Sequence, residues 1–334
     1  MFKEAIEKIL TDLCTPTQVR AVENGDGAQA LWRALEDGGF LQLLTPETAD
    51  GAGLSLDALL PIFLAFGRHA MPLPAAQSIA ARALLRDCAQ LPPAGMLTLA
   101  GSSRRDAEGG VCVAQMAYGM LAEHALVNLD GDLLLLDCRQ AQRQPVGVHA
   151  SQCATLYWPP EAVGAALGGN GEEVRLFSAA IHAASIAGAM QRVLEMTLEY
   201  CNDRVQFGKA IGKFQAVQHQ LSVMAEQVAV SRIAAEQAFA GECVVPDRIP
   251  TAIAKARTSM AVPQVTATAH ALFGAIGVTE ELDLQLFTRR LHEWRLSEGS
   301  ETWWNGLVGQ ALLAQPQATA SEFVRHVTPS SHFA

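Results

Sequence analysis

Charge is scarce in this chain. Only 17% of its 334 residues are charged, half are hydrophobic, and the net charge is −10. So thin a covering of charge on a long chain implies that part of the surface meets a partner. The acidic balance argues against non-specific nucleic-acid binding, so a polyanionic ligand would need a local basic patch. The seven cysteines are scattered, with no Cys-x-x-Cys pair. They read as free thiols in a cytoplasm, not as a disulfide frame or a zinc site. There is no glycine-rich phosphate loop of the P-loop or Rossmann type and no Gly-x-Ser-x-Gly elbow. His182, His219 and His270 lie in apolar helical patterns without metal-ligand partners at i+3 or i+4. They read as core or interface histidines, and no metal is expected. The most apolar stretch, Leu176 to Met190, contains Ser178, His182 and Ser185 and is bounded by Arg175 and Arg192. It is short for a membrane span and reads as a buried helix. The acids in the opening Met-Phe-Lys-Glu-Ala-Ile-Glu-Lys argue against a signal peptide, and no internal repeat is present.

Helical patterning covers residues 1–93, with turn signals at Gly38-Gly39 and Gly51-Ala52-Gly53-Leu54-Ser55 and a break at His69 to Pro74. From 94 to 165 the character changes to short alternating runs, Met96–Leu99, Val111–Ala114, Ala125–Leu129 and Leu133–Leu136. Asp130-Gly131-Asp132 between the last two is a hairpin signal. From 166 to the end the chain reads as an antiparallel four-helix bundle. Its segments are Val174–Tyr200, a helix to Phe239, a third from a Thr251 cap to Phe273 with a kink at Pro263, and Leu282–Trp294 followed by Glu301–Ala314. The tail after Pro316 reads as loose. The expected fold is therefore mainly α with a small β domain, in three parts: an N-terminal helical domain, a reduced β domain and a C-terminal four-helix bundle.

Arg204-Val205-Gln206-Phe207-Gly208-Lys209-Ala210-Ile211-Gly212-Lys213-Phe214-Gln215 joins two of the bundle helices. Behind it Phe214, Val217, Leu221, Met224 and Val228 form a helix seam at steps of three and four. A cation, an amide, two aromatics and two glycines converge at one helix end, a group able to hold a large anionic cofactor. On spacing alone the stretch equally fits a polar turn between bundle helices.

The Arg-x-x-Phe-Gly of residues 204–208, with Phe214-Gln215 at this spacing, resembles the signature of the acyl-CoA dehydrogenase family. So does the order of a Pro-ended link, Gly-x-Gly-Leu-Ser, helix, Gly-Arg and Pro-Leu-Pro in the first 74 residues. Gly274-Ala275-Ile276-Gly277 resembles the family's Gln-x-x-Gly-Gly-x-Gly loop, with Ala271 at the Gln and Ala275 at the second Gly. Ser297-Glu298-Gly299-Ser300 resembles its Glu-Gly-Thr turn. The two β-domain motifs that bind the flavin ring are missing: Leu97-Thr98-Leu99-Ala100-Gly101-Ser102-Ser103 echoes one without its acids, and no Trp lies between Trp32 and Trp158.

The resemblance implies FAD as cofactor, with Arg204, Gln206, Phe207, Phe214, Gln215, Gly274 and Gly277 at its adenosine and pyrophosphate half. It implies an acyl-CoA substrate and an electron-transferring flavoprotein as acceptor. Glu298 falls at the catalytic base, a carboxylate whose pKa an apolar pocket raises towards the working pH for abstracting the α-proton. The alternative base position used by some members falls on Ser178, which cannot serve. In the family each FAD is stretched across two chains. Here the donated half matches best and the ring half worst. That pattern points to a short subunit of a heteromeric enzyme of the steroid-degradation type, a heterotetramer with a related subunit. A self-sufficient homo-oligomer with Glu298 as base, a non-catalytic structural subunit, and another flavoenzyme on the same fold, an oxidase or monooxygenase, are the other readings. Trp303-Trp304 could line an acyl pocket or fill a helix contact.

Overall fold

A computed structural model of the chain describes residues 2–241, 244–315 and 319–327. Five helices open it: α1 (Phe2–Leu13), α2 (Pro16–Glu23), α3 (Ala28–Asp37), α4 (Leu56–Arg68) and α5 (Ala75–Asp87). Thr15 caps α2 by accepting from the Gln18 amide, with Pro16 at the first helical position, where proline's missing N–H costs nothing. Ser55 holds the N-cap position of α4, but its hydroxyl makes no cap bond.

Seven short strands follow: β1 (Leu97–Ala100), β2 (Arg104–Arg105), β3 (Val111–Met116), β4 (His124–Leu129), β5 (Asp132–Asp137), β6 (Gln142–Pro145) and β7 (Ala154–Trp158). They form two sheets, one ordered β1-β4-β5 and one ordered β2-β3-β7-β6. The expected hairpin is present: β4 pairs β5 antiparallel with Leu129 opposite Asp132. Asp130 and Gly131 both have positive φ, 54° and 94°, as a two-residue turn matched to strand twist requires. The second sheet holds three strands absent from the sequence reading, the two-residue β2 and the longer β6 and β7. β6 is polar and largely exposed, an edge strand without an apolar face. β7 buries Ala154, Leu156 and Trp158, and the Trp158 indole donates to Asp137 O at 2.9 Å.

The rest is helical: α6 (Glu172–Asp203), a hairpin of β8 (Val205–Gln206) and β9 (Lys209–Ala210), then α7 (Gln215–Phe239), α8 (Arg248–Phe273), α9 (Leu284–Leu296), α10 (Glu301–Leu313) and α11 (Ala320–Val327). The mainly α fold with a small β part is as expected. α6 is the central rod. Its middle, Phe177 to Met190, is buried on every side, because neighbours surround it: α4, α7, α8 and α9 all pack on it. Its small residues permit this. A Cβ on Gly188 would stand 2.0 Å from the Leu64 carbonyl of α4, so only glycine allows that crossing. Phe63 of α4 meets Phe239 of α7 edge to face at 5.7 Å, joining the N-terminal layer to the bundle.

Two boundaries differ from expectation. α8 begins at Arg248, with Asp247 at the cap position. Thr251 is a fully buried residue inside the helix, its hydroxyl without a partner. Pro250 falls in the first turn, where no backbone bond is lost. The tail is not uniformly loose either: Ala320–Val327 is helical and buries Phe323, while Pro316 lies outside the described residues. The 248–278 segment is long and apolar enough by composition to cross a membrane, yet it lies against α6, α7 and α10 as a bundle helix. Six of the cysteines are free thiols; Cys243 lies outside the described residues.

Candidate active site

The hairpin after α6 turns on Phe207 and Gly208, both with positive φ. Gln206 pairs with Lys209 across it, and the Ile211 amide donates to Arg204 O at 2.8 Å. This geometry pushes the side chains outward. Arg204 and Gln206 are exposed. Phe207 is 92% exposed, a state that wastes a large apolar face unless something covers it. Its ring meets Phe214 edge to face at 6.3 Å, and Lys209 Nζ lies 4.2 Å over the Phe214 ring. Gln215, exposed, is the first residue of α7. Among the described residues the Arg204 guanidinium has no partner. Behind this group Tyr200 stacks on Phe273 at 4.3 Å and donates to Phe273 O. That contact brings the Gly274–Gly277 loop to the same end of α6. Gly274 needs glycine for its backbone, with φ 68° and open space where a Cβ would be. Gly277 needs it for packing, since a Cβ would lie 2.8 Å from Phe273 Cβ. The seven residues assigned to the cofactor's adenosine half thus gather at one end of the bundle.

Glu298 is elsewhere. It occupies the turn between α9 and α10 with φ 58°. Its Oε1 accepts from the Gly101 amide and from Ser178 Oγ, each at 3.1 Å. Its carbonyl accepts from the Trp304 indole at 3.1 Å. Gly101 follows β1 and has no room for a side chain: a Cβ there would stand 2.4 Å from Glu298 Oε2 and 2.6 Å from Arg175 Cα. The Gly101 carbonyl in turn accepts from Arg175 Nε and Asn128 Nδ2. Arg175 lies 5.4 Å over the Trp303 ring. Trp303 is partly exposed and Trp304 fully buried, so of the two only Trp304 fills the helix contact. Ser178, unable to act as a base, is a hydrogen-bond donor to Glu298.

Burial pushes the Glu298 carboxyl above the usual carboxylate range, against the opposing pull of the Gly101 amide, Ser178, Arg175 and Lys255. Lys255 was not singled out from sequence. It is fully buried on α8, and its Nζ donates to Ser259 Oγ at 2.9 Å, Arg295 O at 2.8 Å and Gly299 O at 3.4 Å. Burial pushes its pKa down to about 7. The ammonium thus pins both ends of the Glu298 turn. Its signal in the sequence was a single lysine within the Ala-rich run Thr251 to Val262.

Beside Glu298 a pocket of about 180 Å³ opens between the strands and the bundle. Ala100, Ser102, Gln115, His182 and Ser297 line it with Glu298. The other two histidines are more peripheral: His219 is exposed, and His270 is partly exposed with Nε2 on Thr288 Oγ1. Among the described residues no group of three His, Cys, Asp or Glu could hold a metal.

The distance between the two sites decides how one FAD could use them. Ser178 and Tyr200 are 22 positions apart on one continuous helix, about 33 Å at 1.5 Å per residue, so the two groups lie towards opposite ends of α6. The ends also fit the cofactor unequally. The hairpin offers the unpaired Arg204 guanidinium, a second cation at Lys209 and aromatic faces, suited to a pyrophosphate and an adenine. The pocket at Glu298 is below the roughly 300–1,000 Å³ of ordinary ligand sites, small for a three-ring flavin with an acyl chain beside it.

Residues 177–313 match the acyl-CoA dehydrogenase C-terminal domain. Over 298 residues the chain is 28% identical to the acyl-CoA dehydrogenase IpdE2 of Mycolicibacterium smegmatis, covering 87% of this chain and 91% of that one. The chain is thus similar to acyl-CoA dehydrogenases over most of its length, with the match to their C-terminal domain at residues 177–313. Its fold is that of solved acyl-CoA dehydrogenases. It matches a chain of the ChsE4–ChsE5 complex from Mycobacterium tuberculosis with a TM-score of 0.80 at 21% identity, over 95% of this chain and 97% of that one. It matches a chain of the Tcur3481–Tcur3483 steroid acyl-CoA dehydrogenase with a TM-score of 0.82 at 24% identity, over 95% and 98%. The matches support an oxidoreductase of this kind or a subunit of one; among the fold neighbours, PigA was solved with FAD and proline.

Proposed function

We propose that this chain is a subunit of a heteromeric acyl-CoA dehydrogenase that desaturates an acyl-CoA thioester between its α and β carbons. Its hairpin holds the adenosine and pyrophosphate half of a FAD whose ring lies in a related subunit. The observation that carries this reading is the exposed, unpartnered Arg204–Phe207 hairpin, about 33 Å along α6 from Glu298. Arg204 pairs with a phosphate, Phe207 and Phe214 cover the adenine, and the amides of Gln206 and Gln215 complete the polar contacts. The Gly274–Gly277 loop lies against the pyrophosphate. Bound FAD supplies the hydride acceptor of the desaturation. The small pocket at Glu298 and the missing ring motifs support a partner that is related but fuller. The two heteromeric fold neighbours support it too, and the steroid name of one favours a steroid side-chain thioester as substrate. An electron-transferring flavoprotein as acceptor and a cytoplasmic location, in keeping with free thiols, complete the reading.

One observation favours a second reading, in which the chain owns a complete site: Glu298 is enclosed, held by two hydrogen bonds and raised in pKa, as a catalytic base would be.

Flavin absorbance separates the two. The chain purified alone is expected to be colourless, and the chain co-purified with a related acyl-CoA dehydrogenase subunit yellow, with one FAD per pair. A yellow chain in isolation, with one FAD per chain, would establish the second reading instead. No colour in either preparation would leave a purely structural subunit.

A further inference from the structure

A second cavity, of about 230 Å³, lies between the corner of α1 and α2, the end of α4, α6 and the start of α9. Arg192 lines it, 14 positions beyond Ser178 on α6 and so about 21 Å along the axis from the Glu298 contact. Arg68 and His69, at the end of α4, line it too. One acid answers the two guanidiniums: Arg68 bonds Glu195 at 2.6 Å, and Arg192 stands 3.8 Å from the same carboxylate. The acid that lines the cavity itself, Asp283, is held by Arg20 at 2.8 Å. The cavity therefore keeps an excess of positive charge, in a chain whose net charge is −10. Burial, then Arg68 and Arg192, push the His69 imidazole pKa down, as a positive surrounding does. Among the described residues Arg192 makes no hydrogen bond and the His69 ring has no hydrogen-bond partner. Thr15 Oγ1 accepts from the Gln18 amide, but its own hydrogen goes to no acceptor among them. Three donor groups thus line one cavity without an acceptor to share.

We propose that this cavity binds a small carboxylate carried on an apolar ring, with the carboxylate on Arg192, His69 and Thr15. Three features converge on that chemistry. The free groups are donors beside an excess positive charge, so the ligand must bring acceptors and a negative charge, and a guanidinium fork matches a carboxylate. The rest of the wall is apolar: Val19, Met196, Leu286 and Phe287 face the same space, and a bare inorganic anion would leave them against water. The volume of about 230 Å³ exceeds the roughly 150 Å³ that accommodates benzene in an engineered cavity, which leaves room for one ring and its carboxylate. It is below the roughly 300–1,000 Å³ of ordinary ligand sites, too small for a nucleotide or a whole thioester. All these walls belong to this chain, so the site stands whichever subunit holds the flavin ring.

The test uses cyclohexanecarboxylate and cyclohexanecarboxamide, matched in shape but differing in charge. Calorimetric titration of the full chain at pH 7 should show the carboxylate bound about tenfold more tightly, the worth of one charge-assisted hydrogen bond. Arg192→Ala should abolish the preference, and Arg192→Lys, which keeps the charge without the fork, should retain part of it. The Arg192 side chain is 38% exposed, so neither change should disturb the fold. In the unaltered protein the ring resonances of His69, followed by NMR, should move as the carboxylate saturates and stay in place with the amide. Equal affinity for the two compounds, or binding of neither, would overturn the proposal. So would a preference that survives Arg192→Ala, or His69 resonances unmoved at saturation, since either would put the carboxylate elsewhere. Inorganic phosphate bound more tightly than cyclohexanecarboxylate would overturn it as well, because the apolar wall would then contribute nothing.

Discussion

The amide nitrogen of Gly101 lies 3.1 Å from Oε1 of Glu298, so the residue just after β1 grips the acid on the turn between α9 and α10. The two are 197 positions apart. Their contact ties the strand region to the bundle, and Gly101 is its tightest point. Gly101→Ala places a methyl where Glu298 Oε2 and Arg175 Cα already stand. Overpacking of this kind costs about 1–3 kcal/mol, expected as a lowered melting temperature and a lowered denaturation midpoint at unchanged m-value. An unaltered midpoint would show that the turn relaxes freely.

The hairpin should behave in the opposite way. Arg204 and Phe207 are exposed and support no core contact, so Arg204→Ala and Phe207→Ala should leave the melting temperature of the isolated chain within about 1 °C. In the complex with a related subunit, loss of one charge-assisted bond to phosphate, worth about 1.5–3 kcal/mol, should weaken FAD retention at least tenfold. Flavin absorbance after gel filtration measures it.

Glu298→Gln keeps the acceptor for Gly101 and Ser178 and removes only the charge. If the reacting thioester lies in the partner subunit, turnover of the complex stays within about twofold. If Glu298 abstracts the proton, turnover falls by at least about a hundredfold, the lower end of what a general base contributes. Steady-state kinetics with an artificial electron acceptor reads the difference.

His182 makes stability depend on acid. Its folded pKa, about 4, lies below the ordinary 6.5, so between these values the unfolded chain binds the extra proton. Stability is full above pH 6.5 and falls as pH drops towards 4, by on the order of 3 kcal/mol. His182→Gln should remove that part of the slope. Denaturant titrations at pH 7 and pH 4.5, in the two proteins, measure it.

Much of this was legible from residue order alone. α6 declared itself as an interior helix because it is apolar all round and built of small residues, and Asp130-Gly131 could hardly be anything but a tight turn. The helix from Gln215 to Phe239 ended where expected. β6 and β7 escaped notice because neither has a clear alternation: Gln142–Pro145 is a polar edge ending in proline, and Ala154–Trp158 is only five residues long. Thr251 misled because a capping residue beside a proline looks like a start; the helix instead begins at Arg248, with Asp247 at the cap position but making no side-chain cap bond. The Arg204 group could be read because its members are neighbours in the chain. The surroundings of Glu298 could not. Gly101, Ser178 and Lys255 reach it from three distant segments, and no local pattern marks a glycine, a serine or a lone lysine as belonging to one cluster.

Phe207, projecting from its hairpin with nearly its whole ring in water, makes this polypeptide an incomplete surface. An unassembled copy displays an aromatic tip of the kind that chaperones hold and that nucleates clumping. On the proposed heteromeric reading, its abundance would follow the supply of the subunit that caps that tip, and copies made in excess would be orphans for degradation rather than a reserve of enzyme.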